Sequence, residues 1–374
     1  MRGRNGAPTT QKKGAELLTM NKTPLTYIDG ETLLTTVLPP IRFVVSGLLS
    51  QGLHILAGAP KVGKSWLALH LCLCVAKGEP IWELPVTKGS ALYLCLEDSY
   101  SRIQNRLLDI TDSAPSNIFF STMSEKLRSG LEDQIEGFLL EHPKINLVVI
   151  DTLQRVRLVA NDVNPYANDY RDLGVLKELA DKHQIAIVLI HHLRKQSDDD
   201  PMNMISGTTG ISGAADSSFV LRKDKRSSKT ATLYCTGRDI EYRELSLEFD
   251  SHTHIWNLLS DSVTAEPTPG DSTILSLSAF LDEQKVFSGT ATELSEALKP
   301  YCGETLQPNV LMKKLLRHRQ ELSEMGIVLE TRRTHDRKEI SLRRVDCVGN
   351  DGKSDTGPVS YLPTQPSQPL QWSP

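Results

Sequence analysis

From residue 52 to about residue 250 the chain alternates between short, nearly unbroken apolar runs and longer stretches whose apolar residues recur at helical spacing. The runs at 53–57, 91–96, 147–150, 186–190, 218–221, 231–235 and 245–249 are rich in Leu, Ile and Val and read as strands, the last two closing as a hairpin. A strand that is apolar at successive positions needs cover on both faces. The pattern therefore predicts an α/β fold, a mostly parallel sheet with helices on each side. Beyond residue 272 the pattern changes to a smaller, helix-rich unit. We expect a flexible N-terminal arm over 1–38, with Pro39-Pro40 leading into the main domain over 39–260. A linker over 261–271 contains Thr-Ala-Glu-Pro-Thr-Pro-Gly, the second domain covers 272–345, and a disordered tail rich in Gly, Ser, Pro and Gln covers 346–374. No internal repeat is visible.

The first strand runs into Gly58-Ala59-Pro60-Lys61-Val62-Gly63-Lys64-Ser65, which satisfies G-x-x-x-x-G-K-[ST] at every required position. Glycines let successive backbone N–H groups turn towards phosphate oxygens. Lys64 can reach the β- and γ-phosphates, and the Ser65 hydroxyl can ligate Mg²⁺. The helix that follows, with Trp66 in its first turn, aims its positive end at the same anion. The motif predicts ATP and Mg²⁺ as ligands.

Other strands end in residues that hydrolysis would use. Four apolar residues close on Asp151, the Walker B pattern, which would hold the metal with Ser65. The run over 91–96 ends in Glu97-Asp98: Glu97 is the candidate base for the attacking water, while Asp98 or Ser99 suits an N-cap for the next helix. The run over 186–190 ends in His191-His192; His192 would contact the γ-phosphate or be an ordinary surface histidine. Arg238 follows a late strand and is either an arginine finger or an ion-pair partner of Asp239 or Glu241.

Composition narrows this further. With 39% hydrophobic and 24% charged residues the 374-residue chain is ordinary for a globular protein. Its net charge of −4 excludes a global nucleic-acid footprint, so such binding needs a local basic patch. Between Leu311 and Arg344 ten Lys/Arg face five Asp/Glu, and the candidates there are Lys313, Lys314, Arg317, Arg319, Arg332 and Arg333. Six scattered cysteines lack metal-ligand spacing and suit buried thiols in a reducing compartment. No apolar run reaches a membrane span and no secretory leader is visible, which predicts a cytoplasmic protein without membrane contact.

These motifs resemble the RecA-like hexameric ATPases, in particular the RepA-type replicative helicases of plasmids and phages. The resemblance spans about residues 39–250 and rests on the phosphate loop, Leu96-Glu97-Asp98-Ser99 with Arg102 and Arg106, Val148-Val149-Ile150-Asp151-Thr152, His191-His192-Leu193-Arg194-Lys195 and Gly237-Arg238-Asp239. It implies a hexameric ring in which Glu97 activates water, His192 senses the γ-phosphate and Arg238 acts on a neighbouring subunit. It also implies single-stranded DNA as partner, gripped by residues 196–213 with Arg194 and Lys195 alongside, although Asp198-Asp199-Asp200 makes that loop acidic. In the second domain, a helix opened by Thr290 with Glu293, an amphipathic helix over 308–319 and alternating runs at 327–333 and 337–343 resemble a winged-helix module of replication proteins. Two other functions fit the same residues: an ATPase that loads or remodels replication proteins, and an ATP-responsive DNA-binding regulator.

Overall fold

The computed structural model describes residues 27–158, 164–263 and 272–345, except Lys195, Ser197, Asp224, Arg226, Glu304, Thr305 and 334–337. Most of the arm, most of the linker and the tail expected from the sequence lie outside these residues. The chain forms two compact units, Pro40–Asp271 and a second made from Met1–Pro39 together with Ser272–Pro374. The first described element is a short helix, α1 (Gly30–Thr35), whose Thr32 N–H is accepted by the Asp29 side chain. The end of the expected arm is thus ordered, and it belongs to the second unit.

In the larger unit β1 (Phe43–Val45) and β2 (Leu49–Ser50) form a small ribbon. The main sheet has nine strands: β3 (Gly52–Gly58), β4 (Ser90–Cys95), β5 (Ile118–Ser121), β6 (Ile145–Asp151), β7 (Ala186–His192), β8 (Ser217–Arg222), β9 (Thr230–Gly237), β10 (Arg243–Phe249) and β11 (Trp256–Asp261). Their order is β11-β10-β9-β8-β3-β7-β6-β4-β5. The six strands from β8 to β5 are parallel, and β9, β10 and β11 continue the sheet antiparallel.

Helices α2 (Lys64–Lys77) and α3 (Tyr100–Ile110) cover one face with the alternate strand residues Leu56, Tyr93, Val149 and Val188. Helices α4 (Leu131–Glu141), α5 (Leu153–Val156), α6 (Pro165–His183) and α7 (Thr209–Ala214) cover the other with Ile55, Leu94, Ile150 and Leu189. This double cover explains the unbroken apolar runs: β3 and β4 are buried at every position. Within the main sheet, the strands that the sequence pattern missed are the two outermost, β5 and β11. Each buries only its first residue fully, so neither carries a strong apolar signature. The short ribbon β1–β2 was missed as well.

The smaller unit contains α8 (Ser272–Gln284), β12 (Val286–Gly289), α9 (Ala291–Cys302), α10 (Pro308–Arg317), α11 (Arg319–Glu324), β13 (Ile327–Arg333) and β14 (Lys338–Arg344). Its strands form an antiparallel sheet in the order β12-β14-β13. Thr290 and Glu293 make the expected reciprocal capping box. The helix expected through residue 319 instead ends at Arg317, with His318 outside helical geometry. Val37 packs against the core of this unit, which includes Leu281, Leu315 and Leu342.

A buried carboxylate anchors the start of β3. Asp216 accepts from the Leu53 N–H at 2.9 Å and pairs with Lys177 at 3.1 Å. The chain passes it at Gly52, whose φ is +123° and where a Cβ would lie 2.3 Å from the Asp216 carboxylate. Gly137 in α4 has open space around it. Gly52→Ala is therefore expected to destabilise the protein by about 2–4 kcal/mol, and Gly137→Ala to stabilise it by about 0.5–1 kcal/mol. Urea-unfolding midpoints of the two variants check both signs.

Candidate active site

β3 delivers the phosphate loop to the carboxyl edge of the parallel strands, and α2 begins at Lys64 directly after Gly63. Gly63 has φ +108°, and a Cβ there would lie 2.9 Å from the Trp256 indole nitrogen. That nitrogen donates to the Gly63 carbonyl at 3.3 Å. The loop thus needs glycine both for its turn and for the close approach of β11. Lys61 also takes a left-handed conformation, φ +64°. Ala59, Pro60, Lys61 and Val62 line a cavity of about 350 Å³ with Leu193, Met204 and Leu221–Lys223.

Lys64 is buried, and its ammonium donates to the carbonyls of Gly58 at 2.7 Å and Ala59 at 3.0 Å. Burial pushes its pKa down to about 8, against the opposing pull of the Asp151 and Glu97 charges. Ser65 donates to Asp151 Oδ2 at 2.7 Å, and Tyr93 donates to the same oxygen at 2.9 Å. Burial raises the Asp151 pKa, the two hydrogen bonds lower it, and the Glu97 charge raises it again. A hydroxyl and a carboxylate at hydrogen-bonding distance are the oxygen donors that a hard cation prefers, so Ser65 and Asp151 fit Mg²⁺. Among the described residues there is no cluster of three His, Cys, Asp or Glu that would hold another metal.

Glu97 is exposed just past β4 and accepts from the Thr152 hydroxyl at 3.1 Å, which holds it beside the end of β6. The helix cap is Ser99, which accepts from the Arg102 N–H. Asp98 instead pairs with Arg102 at 3.1 Å and Arg106 at 2.5 Å. Of the histidines, His191 turns into the protein and bonds the Ser206 carbonyl at 2.8 Å. His192 lies in register with Gly58 on the adjacent strand, level with the phosphate loop. Trp66 is stacked on His254 (centroids 4.4 Å apart), with the Arg106 guanidinium 5.5 Å from its ring.

Arg238 stands apart. β9 is antiparallel, so its carboxyl end meets the amino end of β3: Gly237 pairs with Ser217, and Ser217 with His54. Five residues of strand separate Leu53 from Gly58, about 17 Å, beyond the reach of an arginine. Its partner is neither Asp239 nor Glu241 but Asp216, at 3.2 Å, and its side chain remains 61% exposed.

The candidate DNA residues are divided between the two units, Arg194 and Lys195 in the larger and the rest in the smaller. Arg194 pairs with Asp198 at 3.0 Å, and Lys195 lies outside the described residues. Asp200 caps a short 3₁₀ turn at Pro201–Met204, so two of the three acids have local structural partners. On α10, Lys313 and Arg317 are exposed, whereas Lys314 turns inward to Thr273 and Arg319 bonds the Leu316 carbonyl. Arg332 is exposed on β13, and the side chain of Arg333 lies outside the described residues. The expectation of four basic residues along one helix is corrected accordingly: the chain breaks at His318, and only Lys313 and Arg317 share the exposed face.

Sequence reasoning missed Tyr93, Thr152 and Trp256. Tyr93 sits in an apolar strand and reads as core, and Trp256 belongs to the unrecognised edge strand.

Residues 24–198 match the family model of the AAA domain. No curated protein matches the chain in sequence. Among solved structures, the ATPase domain of G40P is similar at 15% identity and a TM-score of 0.47, over 56% of this chain and 85% of that one. A DnaB-like replicative helicase, solved with its interactions with primase, is similar at 15% identity and a TM-score of 0.48, over 58% of this chain and 63% of that one. The Pro40–Asp271 unit is an α/β domain that carries its phosphate-loop motif at the carboxyl edge of the parallel strands, with Ser65 bonded to Asp151. No described helix is long and apolar enough to cross a membrane.

Bound phosphate favours the charged form of Lys64 and raises its pKa above the free-state value of about 8. ATP affinity should therefore be full below that pH and decline above it, with net proton uptake on binding. Calorimetry in buffers of different ionisation enthalpy checks this. Lys64→Arg, whose charge does not titrate there, should lose the dependence.

Proposed function

We propose that the protein is an ATP-driven motor on single-stranded DNA, a hexameric helicase or helicase-like ATPase of plasmid, phage or mobile-element replication, working in the cytoplasm. The observation that carries this reading is the division of the site between two edges of one sheet. Lys64, Ser65, Asp151, Glu97 and His192 gather at the phosphate-loop edge, while the exposed Arg238 sits at the opposite edge. An arginine so placed serves a second copy's nucleotide, which a closed ring provides.

In this mechanism the loop amides and Lys64 bind the β- and γ-phosphates. Glu97, oriented by Thr152, takes the proton of the attacking water. His192 contacts the γ-phosphate, and Arg238 of the adjacent subunit meets the charge that develops on it. Mg²⁺ held by Ser65 and Asp151 would supply charge neutralisation at the same phosphates.

The smaller unit supports a second reading. Helices α8, α9 and α10 with a sheet of order β12-β14-β13 are the elements of a winged helix, and Lys313, Arg317 and Arg332 give the unit exposed positive charge. Such a module suits a protein that binds duplex DNA and loads or regulates other replication proteins under ATP control.

Glu97→Gln should keep ATP binding and lower turnover by about 10²–10⁴-fold. Mixed hexamers of Lys64→Ala and Arg238→Ala subunits should recover part of the hydrolysis that each variant lacks alone; no recovery in assembled mixtures removes the finger. Strand displacement on a forked duplex supports the motor. Sequence-specific duplex binding with negligible turnover supports the regulator.

A further inference from the structure

Helix α6 buries one face through Leu173, Leu176 and Leu179 and leaves two half-exposed aromatic rings beside that face in its first two turns. Tyr166 and Tyr170 are 49% and 51% exposed, one helical turn apart, with ring planes 15° from parallel and centroids 6.4 Å apart. Neither hydroxyl has a hydrogen-bond partner among the described residues, and neither ring belongs to the core. The segment 206–214 lies against this end of the helix. A Cβ on Gly210 would come within 2.9 Å of the Tyr166 carbonyl and 3.3 Å of its ring, so the two backbones touch there. Gly213 faces open space.

We propose that Tyr166 and Tyr170, with the 208–213 segment beside them, form a contact surface for single-stranded nucleic acid in which the rings stack on successive bases. This rests on the single-stranded DNA reading given above and adds the residues and the kind of contact. Parallel rings one turn apart present two π-faces to an extended strand, and stacking of this kind tolerates any base. The positive end of the α6 dipole lies in the same turn. The nearby carboxylates do not repel a phosphate chain. Asp169 and Asp172 are buried and matched by Arg157, which pairs with both, and by Arg128, at 2.9 Å from Asp172. Apart from the buried Ile211, the residues of 208–213 are small and leave room for a backbone to approach.

The surface is also wired to the hydrolysis site. Asp169 accepts from the Thr208 N–H at 2.9 Å and its hydroxyl at 2.8 Å, while Arg157 follows β6 by one short helix. His191, next to the γ-phosphate candidate, holds the Ser206 carbonyl. A shift at either strand end therefore reaches the segment that the tyrosines flank.

The test measures fluorescence anisotropy of labelled oligo(dT) with the full-length protein and a non-hydrolysable ATP analogue at fixed salt. The strand is compared with one of equal length carrying abasic sites. Tyr166→Ala and Tyr170→Ala should each weaken oligo(dT) binding on the order of ten-fold, and the Phe variants should bind as wild type. The abasic strand should bind wild type about as weakly as oligo(dT) binds the double Ala variant, with hydrolysis in the absence of DNA unchanged. If wild type binds oligo(dT) and the double Ala variant binds it equally well, the surface is wrong while the motor reading stands. If that variant instead loses its assembled mass, the face joins copies of the chain, and the proposal is overturned in favour of a subunit contact. If wild type binds neither strand, the single-stranded DNA reading falls and takes this surface with it.

Discussion

One oxygen of Asp151 accepts both the Ser65 hydroxyl and the Tyr93 phenol, and the site depends on that shared acceptor. The three residues come from β6, α2 and β4, separated by 86 and 58 positions along the chain. A buried carboxylate raises its own energy unless donors meet it. Tyr93 is the donor from within the core, and Ser65 is the donor that ties the phosphate loop to the Walker B strand. The loop, the candidate metal ligands Ser65 and Asp151, and the strand that leads to Glu97 are thereby held in one frame.

A second constraint is the change from parallel to antiparallel pairing at β9. Parallel strands present all their carboxyl ends at one edge, and that concentrates Lys64, Asp151, Glu97 and His192 there. An antiparallel strand sends its last residue to the other edge, and Arg238 goes with it. The buried Asp216 then serves three elements at once: it fixes the start of β3 through Leu53, anchors α6 through Lys177 and orients Arg238. An arginine outside its own site is thus coupled to the strand that carries its own phosphate loop.

Much of this was legible in the sequence because the relevant signals are local. The phosphate loop is contiguous, and strands buried on both faces are apolar at every step. The aspartate and glutamate close those strands within one or two residues. The Thr290 to Glu293 capping box also lies within four positions. What escaped was non-local or lay at an edge. In sequence the nearest partners of Arg238 are Asp239 and Glu241, yet it pairs with Asp216, which is adjacent only once β8 and β9 are in register. Of the two cap candidates Asp98 and Ser99, Ser99 takes that role, while Asp98 gathers two arginines from the helix that follows, pairings that sequence order alone does not show. The helix expected through Arg319 ends at Arg317 because His318 leaves helical geometry, and amphipathic spacing does not record that break.

The contact between Trp256 and Gly63 joins residues 193 positions apart. Trp256 is almost wholly buried, and its carbonyl also accepts from Trp82 at 2.7 Å. During synthesis the phosphate loop leaves the ribosome long before the strand that backs it. At about 5–20 residues per second, roughly ten to forty seconds pass before β11 emerges. Through that interval the nascent loop lacks the indole that donates to the Gly63 carbonyl and packs against it. A fragment cut at the end of the AAA match would carry every phosphate-loop residue and still lack the side chain against which the loop is shaped.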